Sequence, residues 1–308
     1  MKSLLERIAL GEILISDGAM GTFLHARGLQ AGECPESWCI SHPDVVQSIA
    51  AAYIEAGSDI VETNSFGGSE FKLKPYGDGA RVVEFNRAAA ALAKAAMGAN
   101  GYVAASVGPT GHIVEEEGGD TKPEELYAAF REQVVALAEG GADAICIETM
   151  SSLTEAIQAI KAAKENTNLP VICTFTFEHG AKGFRTMMGA KPDRAARAAV
   201  AAGADIIGAN CGNGIANMIE IAKQMRAAAP GTPILIHANA GAPEVENGKT
   251  VFKETPEYMA SRVNELIEAG ANVIGGCCGT TPAHIAAIAQ AVRQSSSGIP
   301  DGPSVTAS

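Results

Sequence analysis

What this chain of 308 residues most plainly lacks is positive charge: 23 Lys and Arg stand against 35 Asp and Glu, a net charge of −12. No basic patch interrupts that balance, so nucleic acid and anionic membrane surfaces would be repelled, and neither is expected as a partner. Long apolar runs are missing too. None approaches the ~18 residues of a membrane span, and the amino end, Met1-Lys-Ser-Leu-Leu-Glu-Arg7, has no uninterrupted signal-peptide core. Seven cysteines, odd in number and unpaired in spacing, make no disulfide framework. A reducing, cytoplasmic location is the expectation.

No linker or composition break interrupts residues 8–292 either, so one domain over 1–294 is expected. Residues 295–308, polar and rich in Gly, Pro and Ser, read as a disordered tail or linker. Within the domain, apolar runs of strand length (13–16, 60–63, 103–107, 144–148, 171–177, 206–209, 234–237 and 273–275) alternate with alanine-rich stretches of helical period (44–56, 80–97, 123–139, 153–164, 192–202, 216–228, 256–269 and 282–294). Strict alternation implies parallel strands with right-handed crossovers. Four junctions repeat one phrase, Gly57-Ser-Asp59, Gly141-Ala-Asp143, Gly203-Ala-Asp205 and Gly270-Ala-Asn272, which ends a helix in a left-handed residue just before a strand. These connections are short, whereas those after strands are long. Such asymmetry predicts a single (β/α)8 TIM barrel with its chemistry at the C-terminal ends of the strands; an open doubly wound sheet is the alternative.

Two of those strand ends carry cysteine beside glycine: Gly208-Ala-Asn-Cys-Gly212 and Val273-Ile-Gly-Gly-Cys-Cys-Gly279. Neighbouring side chains of a regular strand point to opposite faces, so Cys277 and Cys278 reach one point only if the backbone departs from strand geometry, which Gly275, Gly276 and Gly279 permit. With Cys211 they make three sulfurs suited to Zn²⁺, and three protein ligands leave a position open, as in catalytic sites. Each alone reads first as a small core residue, and only the three together, each at a strand end beside glycine, favour the metal. Cys146 and Cys173 lie inside apolar runs and read as core; Cys34 and Cys39 share an irregular loop with no further ligand close by.

Carboxylates collect at other strand ends, which also include Glu62, Asn64 and Phe66. Asp17 and Glu148, with no matching Lys or Arg, suit a substrate ammonium group, although Asp17 also reads as an Asp-Gly turn residue. Amides of the turn Gly18-Ala19-Met20 could hold a carboxylate as backbone nests hold anions. Ammonium plus carboxylate describes an amino acid, and if its side chain ends in a thiol, that sulfur fills the open position of the metal. A free thiol, with a pKa of about 8.5, is mostly protonated at neutral pH, and zinc removes that proton.

Taken together, Asp17-Gly-Ala-Met-Gly-Thr22, Glu62-Thr-Asn-Ser-Phe-Gly67, Gly108-Pro-Thr-Gly111, Glu148-Thr149, Asn210-Cys-Gly212, Asn239-Ala-Gly241 and Gly275-Gly-Cys-Cys-Gly-Thr-Thr-Pro282 resemble the homocysteine S-methyltransferase family. Within it, the segment from Asn239 to Phe252 is most similar to the homocysteine-binding domain of cobalamin-dependent methionine synthases. The resemblance implies a (β/α)8 barrel, zinc on Cys211, Cys277 and Cys278, and homocysteine held through its amino group by Asp17 and Glu148. It also implies Asn239 as an oxygen ligand that substrate sulfur displaces. The chain carries no folate barrel, no Asp-x-His-x-x-Gly cobalamin loop and no activation domain. Either it is a fragment, or methyl arrives from elsewhere, with methylcobalamin entering only on a corrinoid partner protein. Betaine or S-methylmethionine as donor, another thiol as substrate, demethylation, a phosphate-binding barrel and a zinc carrier are the competing readings.

Overall fold

The computed structural model describes residues 2–246 and 249–297. Eight parallel strands form one sheet: β1 Leu14–Ile15, β2 Ile60–Glu62, β3 Tyr102–Val107, β4 Ala144–Met150, β5 Val171–Phe175, β6 Ile206–Asn210, β7 Ile234–Ala238 and β8 Val273–Gly276. Each pairs with the next in sequence, β8 pairs back to β1 (Leu14 beside Val273), and a parallel bridge between Ser16 and Ile60 closes the ring. The expected barrel is therefore observed. Helices cover its outside; the stretch 256–269, expected as one helix, is split at Arg262 into Pro256–Ser261 and Val263–Glu268. No described helix is long and apolar enough to cross a membrane. The expected tail lies mostly outside the described residues, although the last helix, Pro282–Ser297, takes up its first three positions.

Period-two alternation fills the interior in layers. Leu14, Ile60, Tyr102, Ala104, Ala144, Cys146, Ile172, Ile206, Leu235 and Val273 make an inner apolar cluster, joined by Leu4 and Ile8 of the helix Leu4–Ala9. Ser3 caps that helix, its hydroxyl accepting from the Glu6 amide while the Glu6 carboxylate accepts from the Ser3 amide. Further along the same inward positions, the side chains turn polar: Ser16, Glu62, Ser106, Glu148, Thr174, Asn210 and His237. Cys146 and Cys173 are fully buried core, as their apolar runs imply.

The repeated Gly-x-Asp phrase has a structural function at the opposite end. Gly57, Gly141, Gly203 and Gly270 all have φ between 101° and 105°, which only glycine adopts without strain. The acid that follows then clasps the preceding strand: Asp59 accepts from the Ile15 amide (2.9 Å), Asp143 from Val103 (2.9 Å), Asp205 from Val171 (2.8 Å) and Asn272 from Ile234 (3.0 Å). A cation meets each one: Arg7 on Asp59, Lys94 on Asp143, Lys164 on Asp205 and Arg226 on Asn272. Four equal clasps, under β2, β4, β6 and β8, set strand register around the ring. Because asparagine serves at the fourth, the hydrogen bond matters more than the charge.

Substituting Asp143→Asn is accordingly expected to cost less than about 1 kcal/mol, and Asp143→Ala about 1–3 kcal/mol through the stranded Val103 amide. Urea unfolding of the two variants checks this, and equal losses would mean that the charge pair with Lys94 dominates.

Candidate metal centre and active site

At the C-terminal ends of the strands lies a cavity of about 260 Å³, lined by Gly18–Thr22, Pro35, Glu36, Glu62–Phe66, Ser106, Glu148, Thr149, Cys211 and Gly276–Cys278. The chain brings its three strand-end cysteines together here. The Sγ atoms of Cys211, Cys277 and Cys278 all lie within 4.8 Å of one another, and Cys211 and Cys278 are 3.8 Å apart. An edge of about 3.8 Å is what a tetrahedron with metal–sulfur bonds of ~2.3 Å requires, so these residues fit a thiolate-bound cation. The backbone is shaped for that approach. Cys211 has φ +58°, followed by Gly212 at +72°, and its amide donates to the carbonyl of His237. A left-handed non-glycine residue costs roughly 1–3 kcal/mol and persists only where its surroundings hold it.

Among themselves the thiols share protons. Their hydrogen bonding to one another holds the Cys211 pKa well down and raises those of Cys277 and Cys278. The Asn239 side chain also donates to Cys211, while its Oδ1 is buried and has no hydrogen-bond partner. That oxygen is unpartnered on a residue hydrogen-bonded to Cys211, and Asn239 itself is not among the described residues lining the cavity. Among the described residues no other group of His, Cys, Asp or Glu gathers in this way. Cys34 and Cys39 instead donate separately to Glu36 Oε2 and the Asn64 carbonyl, both at 3.4 Å.

The carboxylates are arranged less simply than the sequence suggests. Glu148 lines the cavity, its Oε1 accepting from Ser106 (2.5 Å) and its Oε2 from Asn210 (2.9 Å). Asn210 in turn accepts from the Thr149 amide and the Thr174 hydroxyl, fixing the kinked end of β4, where Thr149 has φ +61°. Asp17 is tucked behind the cavity wall, 1% exposed, with Oδ2 accepting from the Glu62 amide (2.8 Å). Burial raises the pKa of both to about 7; for Asp17 the charge of Glu148 adds to it. Glu62, whose place at a strand end is plain from the sequence, turns out to line the cavity itself. The signal that could have drawn it into the site is the one that flagged Glu148, a carboxylate ending an apolar strand.

The turn at 18–20 bends tightly around Thr280. A Cβ on Gly18 would come 2.7 Å from the Thr280 hydroxyl, and one on Gly276 would come 2.3 Å from it. The Ala19 amide donates to that same oxygen (3.2 Å), so of the three amides expected to meet an anion, Ala19 is already engaged within the protein.

A family model described as homocysteine S-methyltransferase matches residues 14–292. The chain belongs to the homocysteine S-methyltransferase family. Methionine synthase of Mycobacterium tuberculosis is 32% identical over 300 residues, covering 91% of this chain and 24% of its own length. The methionine synthase of Mycobacterium leprae is 30% identical over 320 residues, covering 97% and 26%. This chain thus spans about a quarter of the length of these relatives. The metallated form of the Escherichia coli homocysteine methyltransferase MmuM superposes with a TM-score of 0.76 at 24% identity, over 92% of this chain and 98% of that one. That likeness establishes the shared barrel fold.

Protein supplied with zinc should hold one equivalent. Cys211→Ser, Cys277→Ser and Cys278→Ser should each lose it while keeping the barrel, whose strands do not depend on the sulfurs. Elemental analysis beside circular dichroism tests this, and full occupancy in any variant removes that residue from the ligand set.

Proposed function

We propose that this chain binds homocysteine, holds its thiol at a zinc ion on Cys211, Cys277 and Cys278, and accepts a methyl group onto the sulfur to give methionine. The observation that carries the reading is a single cavity whose wall combines three converging sulfurs with carboxylates and, among the described residues, contains no Lys or Arg. Zinc bound there would keep the substrate sulfur deprotonated and nucleophilic at neutral pH.

The protein's own groups do the orienting. Glu148, held rigid by Ser106 and Asn210, accepts the substrate ammonium, and Asp17 adds negative charge from behind the Gly18 turn. Amides of Gly18 and Met20 face the substrate carboxylate, with Ala19 anchoring the turn to Thr280. Asn239, whose Oδ1 is buried without a partner, would be the residue to offer the metal an oxygen in the absence of substrate. Burial of these groups excludes water and strengthens each polar contact.

For the donor we favour a methylated corrinoid protein. The relatives at 30% and 32% identity are named methionine synthases. Phe66 is the one aromatic side chain among the described residues lining the cavity, so the wall offers no aromatic cage for a betaine or sulfonium cation.

With zinc-loaded protein and homocysteine, transfer from a methylated corrinoid protein should exceed that from free methylcobalamin, because docking supplies the proximity the free cofactor lacks. Turnover with betaine or S-methylmethionine and none with either corrinoid would move the chain to the small-donor branch. Glu148→Gln should weaken homocysteine binding about ten- to a hundredfold and Asp17→Asn less, both keeping zinc. Unchanged affinity in both variants, measured by calorimetry, would place ammonium recognition elsewhere.

A further inference from the structure

We infer that Glu62 is the second carboxylate in direct contact with the substrate ammonium, and that it sets the preference for an amino-acid thiol over one without an amino group. The inference rests on the homocysteine reading above and deepens it at one residue.

Three carboxylates line the cavity, and their free hydrogen-bonding capacity differs. Glu36 is engaged on both oxygens, Oε1 with the Gly67 amide (2.7 Å) and Oε2 with the Cys34 thiol (3.4 Å). Glu148 is held on both by Ser106 and Asn210. Glu62 differs from both: its Oε1 is buried and has no hydrogen-bond partner. Asp17, the fourth acid nearby, is kept from the wall by its bond to the Glu62 amide. That bond also fixes the backbone from which the Glu62 side chain projects.

Charge strengthens the case. Burial, together with repulsion from Glu148 and Asp17, raises the Glu62 pKa well above the carboxylate range, and the weak donor Cys146 offsets little of that. The nearest basic group is His237, its Nδ1 3.9 Å from Glu62 Oε1. It is 2% exposed, its Nε2 also lacks a partner, and 3.9 Å is too long for a hydrogen bond to Glu62. A buried carboxylate oxygen without hydrogen bond or counter-charge is costly unless a ligand supplies both. An ammonium does so, with three N–H donors and one positive charge. Glu62 ends β2 and Glu148 lies near the end of β4, on either side of β3, and both line the same cavity.

The test compares two thiols, L-homocysteine and 4-mercaptobutanoate, which differ by the amino group alone, titrated calorimetrically into zinc-loaded protein. Wild type should prefer homocysteine. Glu62→Gln, similar in size but uncharged, should lose about tenfold or more on homocysteine, with little change for 4-mercaptobutanoate and full zinc content. Glu62→Asp, which keeps the charge and shortens the reach, should lose part of the same preference; it serves as the test should Glu62→Gln not fold. Unchanged homocysteine affinity, or equal weakening of both thiols, would overturn the assignment and leave Glu62 a structural acid beside His237. Wild-type protein that binds neither thiol would instead sink the homocysteine reading itself, and Glu62 with it.

Discussion

The closure of eight parallel strands into a ring is the constraint from which the rest of the molecule follows. Once Ser16 meets Ile60, no strand has a free edge, and every second side chain must point into a space of limited width. Apolar residues fill the lower part of that space, where nothing but packing is required. Advancing to the end of each strand brings the same inward direction to Ser106, Glu148, Asn210 and Glu62, and the site is the top of the barrel's own packing pattern. The clasps beneath β2, β4, β6 and β8 matter here. A slip of one residue in any strand would exchange these groups for outward-facing ones.

Sequence periodicity reveals the barrel well because its signals are local. A buried parallel strand is a short apolar run, and each Gly-x-Asp junction announces the next one. The three cysteines are equally plain, since each ends such a run beside glycine. Two-stranded hairpins at Glu178–Gly180 with Gly183–Arg185, and at Glu244–Glu246 with Lys249–Val251, are invisible in the sequence for the opposite reason: neither carries the apolar run that marks a barrel strand. The order of the acids is hidden as well. Asp17 and Glu62 both sit at strand ends, and which one faces the cavity depends on the hydrogen bond from the Glu62 amide to Asp17, a contact between residues 45 apart in the chain. The engagement of Ala19 by Thr280, 261 residues away, is beyond any local pattern for the same reason.

The site departs from the comfortable geometry of the core in two ways. Thr149 and Cys211 occupy left-handed backbone with side chains attached, and the interior carries acids that repel one another. Neither departure helps folding. At β4 one group holds both in place. Asn210 bonds to Glu148, to both the amide and the hydroxyl of Thr149, and to Thr174, so that a single buried amide fixes the kink and the acid together. Asn210 is a positioning group of the sort that the motif Asn-Cys-Gly conceals, because its neighbour Cys211 attracts the attention.

Thiols and carboxylates on one wall present a single electrostatic requirement. All of them gain negative charge when they lose a proton, and each resists doing so while the others are charged; Cys211 raises the cost of ionising Glu148, and Glu148 that of ionising Cys278. Two different cations would relieve the strain at two different places. A soft metal suits the sulfurs, and a hydrogen-bonding ammonium suits the acids, whose oxygens would be poor partners for a cation already satisfied by thiolates. On the proposed reading the two kinds of negative group would sort a metal from an amino acid, and the scarcity of basic residues that is plain in the composition is matched among the described residues lining the cavity.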